Sequence, residues 1–235
     1  MAIEVFNRYE HKYILTKQQY ARATGVIEKH MTADAYCRGG QPYTISNIYY
    51  DTKDDFLIRT SLQSPVYKEK LRLRSYGVPD EDSDVFLEIK KKYKGIVNKR
   101  RSAMRLCEAR ALLGNKNMEI TEKMNRQVVR EIEYFLSVHP VAPKVYIAYD
   151  RIAYFEEGNP DLRISFDMNI RSRRFDTALE KGDYGTPLAG GGEYLMEIKT
   201  ALSKPLWLCR MLDELEIKRT SFSKYGTEYK RSLAI

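Results

Sequence analysis

Three segments of this chain set a glutamate and a lysine two residues apart inside an alternating pattern: Glu10/Lys12, Glu88/Lys90 and Glu197/Lys199. Alternate residues of a strand project from one face. Each pair therefore sends two ionic heads out of one surface, while its neighbours send apolar or aromatic groups out of the other. A period of two is the signature of strands, so these segments point to a sheet with one ionic and one apolar face.

The pattern recurs along the chain. Residues 8–15 place Arg8, Glu10 and Lys12 against Tyr9, His11 and Tyr13. In 67–76, Lys68, Lys70, Arg72 and Arg74 oppose Leu71 and Leu73. Residues 85–90 set Glu88 and Lys90 against Val85, Leu87 and Ile89, and 162–170 carry Arg163, Ser165 and Asp167 on one face. Further strands are read over 45–51, 95–106, 144–154 and 193–200.

Helices are fewer. Thr16 and Gln19 form a capping box opening a helix toward His30. A short helix over 108–113 stops at Gly114. Thr121 is the expected cap of a helix with Met124, Val128, Ile132 and Leu136 on one stripe. Ser203 and Pro205 start another toward Leu215. Residues 75–84 and 179–192, the latter ending in Gly190–Gly192, read as loops. The 235 residues, 43% hydrophobic and 31% charged, contain no repeat or linker. They are expected to form one domain over 1–235, of α+β class, an antiparallel barrel or sandwich carrying helices.

Forty Lys and Arg against 32 Asp and Glu give a net charge of +8, which favours an anionic partner. No apolar run reaches the length of a membrane span, and the first residues lack a signal-peptide pattern. Cys37, Cys107 and Cys209 stand far apart and read as reduced thiols. A cytoplasmic location is expected. His11, His30 and His139 have no ligand spacing, and neither a P-loop nor a G-x-S-x-G elbow is present. The 18 tyrosines beside basic residues would suit single-stranded nucleic acid, though most occupy strand positions where packing is the default.

The charged faces have two readings. One is a solvated outer surface. The other is the lining of a closed sheet, with the apolar faces turned outward beneath the helices. Cations at that density repel one another unless an anion neutralises them, and phosphate suits both Arg and Lys. Carboxylates among them suit a hard divalent cation.

An ordered set of motifs adds to this. Arg-Tyr-Glu-His-Lys-Tyr (8–13), Ile-Tyr-Tyr-Asp-Thr (48–52), Leu-Arg-Leu-Arg-Ser-Tyr-Gly (71–77) and Phe-Leu-Glu-Ile-Lys (86–90) come first. Asn-Lys-Arg-Arg (98–101), Tyr-Asp-Arg-Ile-Ala-Tyr (149–154), Arg-Ile-Ser-Phe-Asp (163–167), Leu-Met-Glu-Ile-Lys (195–199) and Ser-Lys-Tyr-Gly (223–226) follow. Over nearly its whole length the chain resembles the VTC domain, the catalytic domain of the vacuolar transporter chaperone polyphosphate polymerase, within the triphosphate tunnel metalloenzymes.

The resemblance implies an antiparallel tunnel barrel with flanking helices, ATP as phosphoryl donor and inorganic polyphosphate as product. It implies that Lys12, Arg72, Arg74, Lys90, Arg151 and Arg163 hold phosphates, with Lys199 joining them. Glu197 would hold Mn²⁺ or Mg²⁺, helped by Glu10 or Glu88, and Lys224 would stand beside the reacting phosphate. Within 99–101 the register is open, with Lys99 and Arg100 favoured. On composition alone Lys224 is a solvated lysine before a turn at Gly226; the resemblance gives it a mobile segment that delivers it to the phosphate.

Two positions depart from relatives. Ser221 stands where some polymerases carry a second lysine, and Arg8 stands where hydrolases often carry the first Glu of Glu-x-Glu-x-Lys. The expected activity is an ATP-dependent polyphosphate polymerase. A metal-dependent triphosphatase and a non-catalytic polyphosphate- or RNA-binding module are the alternatives. No DNA is expected as partner, and a membrane-protein partner is left open.

Overall fold

The computed structural model describes residues 9–94, 96–114, 118–188, 193–201 and 203–234, without the side chains of Arg38 and Pro160. Arg8 and Gly190–Gly192 lie outside the described residues. Along the chain run β1 (Tyr9–Leu15), α1 (Lys17–Ile27), β2 (Thr32–Ala33), β3 (Tyr43–Thr52), α2 (Phe56–Leu62), β4 (Tyr67–Tyr76), β5 (Asp84–Tyr93) and β6 (Ile96–Arg105). Then come α3 (Leu106–Leu113), α4 (Arg126–Val138), β7 (Val141–Glu156), β8 (Asn159–Arg173), β9 (Thr186–Pro187), β10 (Tyr194–Thr200), α5 (Leu206–Glu214), β11 (Arg219–Thr220) and α6 (Lys224–Ser232).

The class is α+β, with a large antiparallel sheet. Its hydrogen-bonded path runs β11-β1-β10-β8-β7-β3-β4-β5-β6, with β2 beside β7 and β9 beside β8. Among the described residues the path ends at β11 and β6 instead of closing on itself. No described helix is long and apolar enough to cross a membrane.

The chain divides into two compact units. The first comprises Met1–Thr44, Tyr149–Ile170 and Pro187–Lys224; the second comprises Ile45–Ala148, Arg171–Thr186 and Tyr225–Ile235. Each has its own core.

In the first unit, Tyr13 and Leu15 of β1, Met196 and Ile198 of β10, and Ile164 and Phe166 of β8 project from one side and are buried. Ala23 and Ile27 of α1 and Leu208 and Met211 of α5 pack on them. The capping box expected at α1 is present: Thr16 Oγ accepts the Gln19 N–H at 3.2 Å and the Gln19 side chain takes the Thr16 N–H at 3.0 Å. The apolar faces are thus roofed by helices.

The second unit repeats the scheme. Leu71 and Leu73 of β4, Leu87 and Ile89 of β5 and Met104 of β6 meet Val128, Val129, Ile132 and Phe135 of α4. The cap of α4 is Asn125, whose side chain accepts the Val128 N–H at 3.1 Å. Thr121, the expected cap, instead opens the turn before the helix, its carbonyl taking the Met124 N–H.

Two helices escaped the periodicity. Helix α2 follows Asp55, which has a left-handed φ of 60° and makes no side-chain cap. The cap comes from Asp51, fully buried, whose carboxylate accepts the Leu57 and Ile58 N–H groups at 2.9 and 3.0 Å. The same carboxylate takes the Thr52 N–H at 2.8 Å and the Tyr225 hydroxyl of α6 at 2.7 Å. Gly226 therefore lies inside a helix, not at a turn. In α6, Glu228 accepts a two-pronged bond from Arg174, 2.8 Å on each side.

Removing the Asp51 carboxylate would orphan buried donors, at about 1–3 kcal/mol each. Asp51→Ala is expected to cost about 3 kcal/mol or more, read as a lowered urea midpoint. A midpoint within error of wild type would show that the fork is dispensable.

Candidate active site

Register across β4, β5 and β6 builds a cationic surface in the second unit. Opposite residues form the rows Lys68–Lys92, Lys70–Lys90–Lys99 and Arg72–Glu88–Arg101, with Arg74 against Phe86 beyond them. Since residues two apart share a face, these rows bring eight cations and one carboxylate together on one face. That carboxylate, Glu88, is buried. Arg72 Nε reaches it at 2.5 Å, Lys99 Nζ at 3.0 Å and Arg74 at 3.8 Å. Strand β3 supports the arginines: Tyr49 accepts from Arg72 at 3.2 Å, and Asn47 from Arg74 at 3.0 Å.

Burial alone would raise the Glu88 carboxyl; Arg72, Arg74 and Lys99 outweigh it and hold it well below the usual range. Desolvation, then repulsion from Arg72, pushes Lys99 down to about 7 against the pull of Glu88. Its side chain keeps 39% of its exposure, so an arriving anion can reach it.

The first unit builds a different environment. Here Lys12 stands opposite Glu197, and Glu10 opposite Lys199, so adjacent strands pair opposite charges crosswise. Glu197 is buried and takes Lys12 at 3.4 Å, Lys199 at 3.5 Å, Lys224 at 3.7 Å and Arg151 at 3.9 Å. Asp167 on β8, fully buried, accepts a fork from Arg151 at 2.6 and 2.8 Å. Lys224 donates to Asp167 at 2.5 Å and lies 4.3 Å over the Tyr149 ring.

Burial raises both carboxyls, but the cations win. Lys224, Lys199, Lys12 and Arg151 hold Glu197 well below the carboxylate range, and Arg151 and Lys224 lower Asp167. Burial likewise lowers Lys224, yet Asp167 and Glu197 bring its ammonium up to about 12. Four cations thus stand against three carboxylates, counting Glu10, which lies 3.3 Å from Lys12.

A family model described as the VTC domain matches residues 7–233. The chain belongs to the VTC domain family. Among solved structures, a candidate adenylate cyclase from Bacillus halodurans is similar at 14% identity and a TM-score of 0.53, covering 91% of this chain and 92% of that one. A candidate adenylyl cyclase from Hippeastrum, described as having a dominant triphosphatase activity, is 18% identical with a TM-score of 0.51, covering 92% of each chain. At such identities the likeness is one of fold. Comparison with curated proteins returned no match.

The geometry of this VTC domain sorts the expected site residues. Lys12, Glu10, Arg151, Glu197, Lys199 and Lys224 form one network in the first unit. Arg72, Arg74, Glu88 and Lys99 form one in the second, with Lys90 in the row beside Lys99. Arg163 shares the face of Lys199 but pairs with Asp34 at 2.9 Å and is half exposed, outside the Glu197 network. Arg100 stands opposite Ile89 and pairs with Glu131 of α4, on the apolar side. Arg101 is the residue level with Glu88; its guanidinium lies 4.7 Å over Phe86.

Asp167 was legible as part of a charged face, but not as the partner of Lys224. No mobile delivery of Lys224 is needed, because it is already held as the first residue of α6.

Among the described residues no three His, Cys, Asp or Glu side chains converge as a ready metal cage. The donor chemistry of the VTC domain still suits a hard cation. Glu197 and Asp167 offer oxygen only and share Lys224 and Arg151, and Mg²⁺ is commonly held by one or two carboxylates plus substrate phosphates.

The depressed carboxyls make a pH-dependent contribution. Their stabilisation is complete above the ordinary carboxylate range of about 4 and is lost as pH falls through their lower folded values. Unfolding free energy in urea is expected to stay flat down to about pH 5 and to fall below about pH 4. In Glu88→Gln the acid slope should be shallower by up to one proton. An unchanged slope would remove Glu88 from the account.

Proposed function

We propose that this VTC domain is an ATP-dependent polyphosphate polymerase. The observation that carries the proposal is the face of β4–β6, where eight cations surround one buried carboxylate. Such a surface is offset best by an extended polyanion, and its arginines suit phosphate through paired N–H groups. Lys68, Lys70, Lys90, Lys92, Lys99, Arg72, Arg74 and Arg101 would hold successive phosphates.

The nearly balanced network around Glu197 would serve the chemistry. Phosphoryl transfer is largely positioning and charge neutralisation, with no protein nucleophile required. An oxygen of the chain's terminal phosphate would bond to the γ-phosphorus of ATP. The bond from that phosphorus to the bridging oxygen would break, and its electron pair would leave on ADP. Arg151 and Lys12 would orient the phosphates. Lys224, held charged by two carboxylates, would offset charge on the transferring group. When bound, Mn²⁺ or Mg²⁺ would neutralise phosphate oxygens, held by Glu197 and Asp167 with Glu10 near.

A triphosphatase is the second reading. It is favoured by the triphosphatase activity ascribed to the Hippeastrum protein of the same fold and by Ser221 in place of a second lysine. Water would then replace the chain terminus as acceptor. Incubation with ATP and Mn²⁺ or Mg²⁺ separates the two: polyphosphate should accumulate with ADP. Free phosphate without polyphosphate would support the triphosphatase; binding of triphosphate with no metal-dependent turnover would support a binding module.

Glu197→Gln is expected to retain triphosphate binding and lose turnover. Lys224→Ala should cut turnover by about 100-fold, the scale of one preorganised charge donor, with a much smaller change in ATP affinity. Equal losses in both quantities would make Lys224 a binding residue only. Circular dichroism of each variant controls for folding.

A further inference from the structure

The apolar side of β4, β5 and β6 is roofed by α4 as far as the row Leu71–Ile89–Arg100. There Glu131 of α4 takes Arg100 and, at 3.8 Å, Lys91. Four residues further out the roof has ended. Tyr67, Tyr93 and Ile96 stand opposite one another in register and are 46, 53 and 58% exposed. Val66 and Tyr134 of α4 are exposed as well. Tyr67 donates its hydroxyl to Glu69 at 2.8 Å.

An exposed patch of large apolar groups marks an interaction surface. Its chemistry narrows the partner. The segment Lys90-Lys91-Lys92-Tyr93-Lys94 runs into Ile96-Val97, and no acidic residue occurs in 90–101. Lys94 Nζ lies 5.4 Å over the Tyr93 ring. Tyrosines settle at the headgroup level of a bilayer, with the ring in apolar surroundings and the hydroxyl wet. Lysines beside them attract anionic lipid over a Debye length. A nucleic acid would use the lysines and rings but leave Val66 and Ile96 in water. A second copy of this chain would bring the same positive charge against itself.

We propose that the open end of β4, β5 and β6 docks on an anionic lipid bilayer. Attachment is peripheral: lysines lie over the headgroups and Tyr93 and Ile96 enter shallowly.

The test is co-sedimentation of the purified chain with vesicles of equal parts phosphatidylserine and phosphatidylcholine, against phosphatidylcholine alone. Binding is expected only to the anionic vesicles and should weaken with salt. Lys91→Glu with Lys94→Glu should reduce it by about tenfold or more. Tyr93→Ser with Ile96→Ser should do so at unchanged net charge. Arg72→Ala on the opposite face should leave it intact. No binding to anionic vesicles at low salt overturns the proposal. So does binding that Arg72→Ala abolishes while the Tyr93/Ile96 variant retains it, since the headgroups would then occupy the phosphate surface. Retention by single-stranded RNA but not by vesicles would assign the patch to nucleic acid instead. Melting curves of each variant verify the fold.

Discussion

Cations crowded on one face of a strand repel one another, and the carboxylates that offset this repulsion are few and deeply placed. Glu88 sits beneath Arg72, Arg74 and Lys99; Glu197 and Asp167 sit among Lys12, Arg151, Lys199 and Lys224. A buried carboxylate without these partners would be costly, and the partners without the carboxylate would push apart. The charges therefore specify one another's positions. Strand alternation does the rest: Leu71, Leu73, Leu87 and Ile89, set between or beside ionic residues, face the other way, into the apolar layer beneath α4.

The two units use this device at different charge balances. In the second, the excess of cations leaves attraction for further anions unspent. In the first, near-balance leaves carboxylate oxygens and a charged lysine in contact with one another, each already desolvated. Electrostatic groups that are fixed and dehydrated before a reactant arrives need little rearrangement when charge develops on it.

Much of this was legible in the sequence because the signal has a period of two. Tyr67–Tyr76 was readable end to end, and so was the shared face of Glu197 and Lys199. The Thr16/Gln19 box announced α1 because both its halves are local. Reading failed where the deciding partner is distant. Helix α2 is capped by a carboxylate several residues upstream of its start, and α6, rich in polar residues and containing Gly226, is anchored by Asp51 and Arg174. Arg100 and Arg101 cannot be told apart without the pairing of β5 with β6, since one step of register exchanges the arginine level with Glu88 for the one beneath α4. Arg163 shares the right face, but Asp34, far away in sequence, claims it.

Strand β6 ends the hydrogen-bonded path, and its outer backbone edge is a template on which another chain could add a strand. Lysine and arginine along such an edge act as gatekeepers, because a like-charged copy is turned away before it can align. In this chain Lys99 and Arg101 guard the edge and also belong to the cationic face. Whatever neutralises them, a bound polyanion or acylation of Lys99, lowers the guard at the same moment. Resistance to edge-to-edge pairing and the net charge of that face are thereby tied together.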